Sequence, residues 1–167
     1  MATTTHAESG TAPKSTDAPR TIEKRITLRA SRSRVWRALT DIDEFCRWFG
    51  VQKADGAFAP GARVRMIPTD KDCGPEFHVF VEQMEPERVF SWRWHPGAHD
   101  ANADYSAEPT TLVVFELEEV AGGTLLTIVE SGFNQISLAR RAKVFGENDG
   151  GWDAQLVALE RYVSQAS

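Results

Sequence analysis

Residues 21–49, TIEKRITLRASRSRVWRALTDIDEFCRWF, constrain the fold of this chain more than any other stretch. Ile22, Lys24, Ile26 and Leu28 alternate with Glu23, Arg25, Thr27 and Arg29, the period of two that marks a half-buried strand. Lys24 interrupts the apolar file near the strand's ragged start. The period then changes. Ser31 supplies an N-cap oxygen, and Val35, Trp36 and Leu39 form the apolar stripe of a short helix. Asp41, with Glu44 in capping-box register behind it, opens a second helix whose Phe45, Trp48 and Phe49 share one face. Gly50 ends that helix in the C′ role.

A run of strands follows. Residues 51–54 make a weak one, and 55–61 read as a turn-rich bend. Over 62–68, Val64 and Met66 take one face while Arg63 and Arg65 take the other. Strands are expected at 77–85 and 88–95, joined by a tight turn at Pro86-Glu87. After a long loop at 96–109 come strands at 110–119 and 124–131, with a turn at Gly122-Gly123. The last part is helical. Leu138, Ala142 and Phe145 form one stripe, and Trp152, Leu156, Leu159 and Val163 form another. Between them lies GENDGG (146–151), where each interior glycine costs about 1 kcal/mol relative to alanine. The pattern fits either two helices or one long helix with a soft point; the favoured reading is a short helix at 137–145 followed by a main helix from about 148 to 165, roughly 27 Å long at about 1.5 Å per residue. GENDGG would then be a soft point that lets the main helix shift. The fold class is α+β: a curved antiparallel sheet of about six to seven strands around a long C-terminal helix.

With 167 residues, 41% apolar and 26% charged, the chain suits a single domain, expected over 21–167. Residues 1–20 hold no bulky apolar side chain beyond Met1 and read as a disordered tail. A net charge of −5 and a pI near 5.4 argue against a nucleic-acid partner, which needs a basic face. There is no apolar signal segment and no run long enough for a membrane span. Two cysteines, Cys46 and Cys73, are too few for a disulfide framework, so the cytoplasm is the expected compartment. Cys46 is expected to be a small core residue. His95 and His99 have a metal-ligand spacing, but Pro96-Gly97 forbids the helix that spacing needs. The glycine-rich stretches lack the Lys-Ser/Thr of a phosphate loop. No metal or cofactor is implied.

Five segments in order carry a family resemblance: ITLRASRSRVWRALTD (26–41), RWF (47–49), MEPERVFSWRW (84–94), GGTLLTIVESGF (122–133) and GGWDAQLVALERYV (150–163). Together they resemble the START-like, birch-allergen-like helix-grip superfamily, also called SRPBCC. More closely, they are similar to the bacterial branch related to the C-terminal domain of the heat-shock ATPase activator. The resemblance covers roughly 21–165 and implies a cavity between sheet and C-terminal helix. Members of the superfamily bind lipids, sterols, plant hormones or polyketides, and a few catalyse cyclisation or dehydration. The eukaryotic activators bind a chaperone.

On the strand 88–95, Phe90, Trp92 and Trp94 share one face, expected to be the concave one. With Phe115 and Phe133 on the sheet side, and Trp152 and Leu156 on the helix opposite, they would wall a cavity for a flat or greasy ligand. The same rings would serve equally as ordinary core. Trp48 and Phe49, with the 96–109 loop, would border the mouth. Glu130 has two readings. If Leu126 and Ile128 face inward, its carboxyl sits at the cavity rim as an acid or ligand anchor. The favoured reading is a strand-end carboxylate in solvent, or one paired with Arg140 or Arg141. The cluster Arg140, Arg141, Lys143 reads as a solvated face, with anion binding at the mouth as the alternative.

Three functions follow in order of preference. The first is non-catalytic binding of a small hydrophobic or aromatic molecule. The second is an interaction module for a chaperone, which the lack of a separate N-terminal activator domain makes less favoured. The third is a cyclase or dehydratase using Glu130, which needs a second polar group such as His78, Asp104 or Tyr105. Ligand identity and oligomeric state are left open by the sequence.

Overall fold

The computed structural model of the protein describes residues 21–165, so the tail expected at 1–20 lies outside the described residues. The chain runs β1 (Thr21–Leu28), α1 (Arg32–Thr40), α2 (Ile42–Phe49), β2 (Val51–Asp55) and β3 (Arg63–Pro68). It continues through β4 (Phe77–Glu85), β5 (Val89–Trp94), β6 (Thr111–Val120), β7 (Gly123–Ser131) and α3 (Leu138–Gln165). Seven strands form one antiparallel sheet in the order β1-β7-β6-β5-β4-β3-β2. The α+β expectation holds, and the weak strand at 51–54 is a full edge strand.

The two short helices start and stop where their caps dictate. Ser31 Oγ accepts from the Arg34 N–H at 3.1 Å, and Asp41 Oδ1 accepts from the N–H groups of Asp43 and Glu44, both at 3.1 Å. Gly50 closes α2 at φ 87°, a left-handed conformation that favours glycine. Trp48 then locks α2 onto α1 by donating its indole N–H to the Ala38 carbonyl at 2.8 Å. Its partner is a backbone group, so the indole body is free to bury. At the β1 end, Gly123 passes so close to Leu28 that a Cβ would meet its carbonyl oxygen at 1.9 Å, which leaves no room for a side chain.

The C-terminal expectation needs correction. Residues 138–165 are one continuous helix of 28 residues, roughly 42 Å long, and not two helices. Three interior glycines penalise the helix locally, but tertiary contacts on both sides of them hold it. Val144 and Trp152 are buried, while Asn148 and Asp149 reach across to β7 and β1. Asp149 and Asp153, one turn apart, receive the Lys24 ammonium at 2.9 and 3.0 Å. Lys24 thus lies on the inner face, where α3 answers its charge.

The inner face of the sheet is aromatic. Phe90, Trp92 and Phe115 are fully buried, with ring centroids 5.0–5.8 Å apart. Phe45 and Phe58 close on them from the α2 side at 5.7 and 6.4 Å from Trp92. Edge-to-face and tilted pairs of this kind gain about 0.5–1.5 kcal/mol each beyond area burial. Cys46 is half-buried against this core and not inside it.

Candidate functional site

Glu130 organises the site. On β7, Leu126, Ile128 and Glu130 face inward, since all three are buried while Leu125, Thr127, Val129 and Ser131 are half-exposed. The carboxyl group is neither in solvent nor paired with Arg140 or Arg141, which corrects the favoured sequence reading. It is 0% exposed and accepts from four neutral side chains. Trp94 Nε1 and Thr111 Oγ1 donate to Oε2 at 2.8 and 2.6 Å. Trp152 Nε1 donates to Oε1 at 2.8 Å, and Asn148 Nδ2 reaches both oxygens at 3.0 Å. These donors come from β5, β6 and α3, so one carboxyl group joins sheet and helix. A buried carboxyl group with all its partners in place avoids the large cost of an unsatisfied one.

In front of this hub lies an open cleft of about 180 Å³. Trp94, Trp152, Phe49 and Phe77 form its apolar wall. The Trp94 and Trp152 ring centroids are 5.9 Å apart with planes inclined at 32°. Two loops close the far side, because His99 meets the Cys73 carbonyl through Nδ1 at 3.1 Å. Asn148, Gly151 and Gln155, all on α3, make the helix side, and Gln155 Nε2 donates to the Phe49 carbonyl at 2.9 Å. GENDGG therefore borders the cleft as ordinary helix. Partial burial, reinforced by Asp70 and Asp72, raises the Cys73 thiol above its ordinary value. That disfavours the thiolate a nucleophile would need.

The structure divides the sequence-predicted residues into three groups. Phe49, Trp94 and Trp152 line the cleft. Trp48, Phe90, Trp92, Phe115, Phe133 and Leu156 are buried in the core and outside the cleft lining, so they support the cleft by filling the sheet behind it. Glu130 lies sealed behind Trp94, Asn148 and Trp152. His78, Asp104 and Tyr105 meet elsewhere, around a second depression of about 490 Å³ beside β4 whose lining does not include Glu130. Two of the three side chains of the basic cluster are engaged as well, while Lys143 is exposed. Arg140 pairs with Glu108 and donates to the Pro96 and Gly97 carbonyls, while Arg141 binds the carbonyls of Asn134 and Ile136. Sequence reasoning missed Phe77, Asn148 and Gln155. Asn148 was legible only as a helix-surface amide, and nothing in its local pattern pointed to Glu130.

A second cluster fastens the small helices to α3. Glu44 accepts from Arg34 at 2.7 Å, Arg37 at 2.9 Å and the Tyr162 hydroxyl at 2.9 Å. Burial alone would raise the Glu44 carboxyl, but the hydrogen bonds and charge of Arg34, with Tyr162 and Arg37, hold it below its ordinary value.

The sequence model of the family described as Activator of Hsp90 ATPase homolog 1-like protein matches residues 29–164. Among curated proteins none matches the chain. Protein MLL2253 from Mesorhizobium loti is similar in structure, with a TM-score of 0.71 at 24% identity, over 89% of this chain and 99% of that one. The Aha1 dimer from Colwellia psychrerythraea gives a TM-score of 0.66 at 20% identity, over 86% and 95%. DynU16, a protein of the dynemicin biosynthetic locus, gives 0.67 at 24% identity, over 88% of this chain but 48% of DynU16. At these identities the likenesses carry the fold.

Proposed function

The chain belongs to the Activator of Hsp90 ATPase homolog 1-like family, and on that premise we propose that it binds a small, largely apolar or aromatic molecule in the cleft in front of Glu130, without catalysing its conversion. The carrying observation is the aromatic cleft itself, open to one side and walled by two indoles whose orientation is fixed from behind. A preformed apolar concavity with few polar groups is the usual form of a small-molecule site. The geometry gives the cyclase or dehydratase reading little support. Its carboxyl group is walled off from the cleft, and His78, Asp104 and Tyr105 line a separate depression that does not include Glu130. The experiment is native mass spectrometry of the purified protein, followed by organic extraction of whatever co-purifies. A stoichiometric apolar molecule supports the proposal. An empty protein that also shows no tryptophan fluorescence response across a panel of aromatic compounds overturns it.

The family match favours a second reading, an interaction module for a chaperone. Recovery of a chaperone of the heat-shock ATPase class with the tagged protein, at a fixed stoichiometry, supports that reading. Failure to recover one at micromolar concentrations of both proteins counts against it.

A further inference from the structure

The two indoles and the Asn148 amide of the cleft turn their donors away from it. Both indole N–H groups of its wall point backwards into Glu130, so Trp94 and Trp152 show the cleft only their π systems. The Asn148 amide donates to both oxygens of Glu130, and the Gln155 amide gives one N–H to the Phe49 carbonyl. Each amide then has its carbonyl oxygen to offer. His99 Nδ1 faces the Cys73 carbonyl at 3.1 Å and donates to it. The His95 ring is turned to the Glu108 carbonyl and packs against Phe80. Among the described residues the one carboxylate on the lining is Glu147, exposed at the rim, and no lysine or arginine joins it. Arg140 donates to the Pro96 and Gly97 carbonyls and is paired with Glu108. The weakly donating Cys73 thiol and the second N–H of Gln155 run against the pattern.

We infer that the cleft selects an organic cation, a protonated or quaternary amine carried on an apolar or aromatic body. Electron-rich ring faces, amide carbonyl oxygens and one rim carboxylate attract positive charge, and no basic side chain among the described lining residues answers an anion. A neutral apolar ligand would find the rings but would leave the acceptors unmatched. The inference rests on the ligand-binding reading above and names its ligand class.

The test uses three compounds of nearly one shape: benzyltrimethylammonium, its neutral carbon isostere neopentylbenzene, and benzylsulfonate. Each is titrated calorimetrically into the full-length protein. The ammonium is expected to bind about tenfold more tightly than the neutral compound, with the sulfonate weakest, as cation–π attraction and one rim carboxylate together supply. Glu147→Gln is expected to weaken ammonium binding about threefold, the scale of one exposed charge. Neopentylbenzene or benzylsulfonate binding as tightly as the ammonium overturns the inference and leaves the ligand-binding reading standing. Failure of all three to bind also overturns it. In that case a neutral apolar molecule found by native mass spectrometry would preserve the ligand-binding reading alone.

Discussion

Trp94 of β5 and Trp152 of α3 are joined through a single carboxyl group: each donates its indole N–H to Glu130 at 2.8 Å, one to each oxygen. The bond fixes the tilt between two rings that both face the cleft, and it ties the C-terminal helix to the sheet. Replacing Glu130 tests both roles. Glu130→Gln keeps one acceptor but turns an N–H₂ group towards existing donors, at a cost of roughly 1–3 kcal/mol in stability. Urea unfolding reads the loss, and the near-ultraviolet circular dichroism of the indoles is expected to change. Unchanged indole bands would show that packing alone sets the tilt.

Gly151 borders the cleft on α3, and a Cβ there would meet nothing within 4 Å. Gly151→Leu is therefore expected to occupy the cleft while preserving the far-ultraviolet spectrum. Loss of ligand binding of tenfold or more, measured by tryptophan fluorescence, is the expected outcome. Retained binding would place the ligand elsewhere.

Gly146 and Gly150 sit in the same helix with equally open space around them. Alanine at either position is expected to add up to about 1 kcal/mol, by removing the helix penalty of glycine. The double substitution should raise the thermal midpoint further, since each alanine removes its own glycine penalty. A lowered midpoint would mean that this segment must leave the helix for some other purpose.

Lys24 and its two aspartates give a pH-dependent contribution. Hydrogen bonds to Asp149 and then Asp153 raise the lysine above its ordinary 10.5 in the folded protein. The stabilisation is thus fully present below pH 10.5 and is lost as pH rises through the higher folded value. Lys24→Met is expected to cost roughly 0.5–1 kcal/mol at neutral pH, modest because both aspartates are partly exposed. Denaturant midpoints of parent and variant should converge at alkaline pH.

Glu44 has the opposite sign. Its folded carboxyl is held below the ordinary 4.5, so its contribution is present above that value and fades as pH falls through the folded one. Glu44→Gln is expected to cost about 1–3 kcal/mol at neutral pH, since three donors from α1 and α3 lose a charged acceptor. The difference between parent and variant should narrow in acid.

The sequence by itself determined the elements and their faces. Alternation placed Phe90, Trp92 and Trp94 on one side of β5, and the Ser31 and Asp41 caps and Gly50 bounded α1 and α2 closely. These are local properties of backbone geometry and side-chain period. Where propensity and tertiary contact conflicted, the sequence misled. The glycines of GENDGG predicted a break, yet α3 runs through, because Asn148, Asp149 and Trp152 are held from strands more than a hundred residues earlier or from β7. The fate of Glu130 was likewise invisible. Its strand position allowed either face, and its four donors lie 18 to 36 residues away along the chain. Whether an aromatic lines a cleft or fills a core was also decided only in three dimensions. Trp92 and Trp94 are two residues apart on one face, but Phe45, Phe58 and Phe115 close over the first and leave the second at the open end. Local period assigns a face, and only the elements that converge on that face determine what it meets.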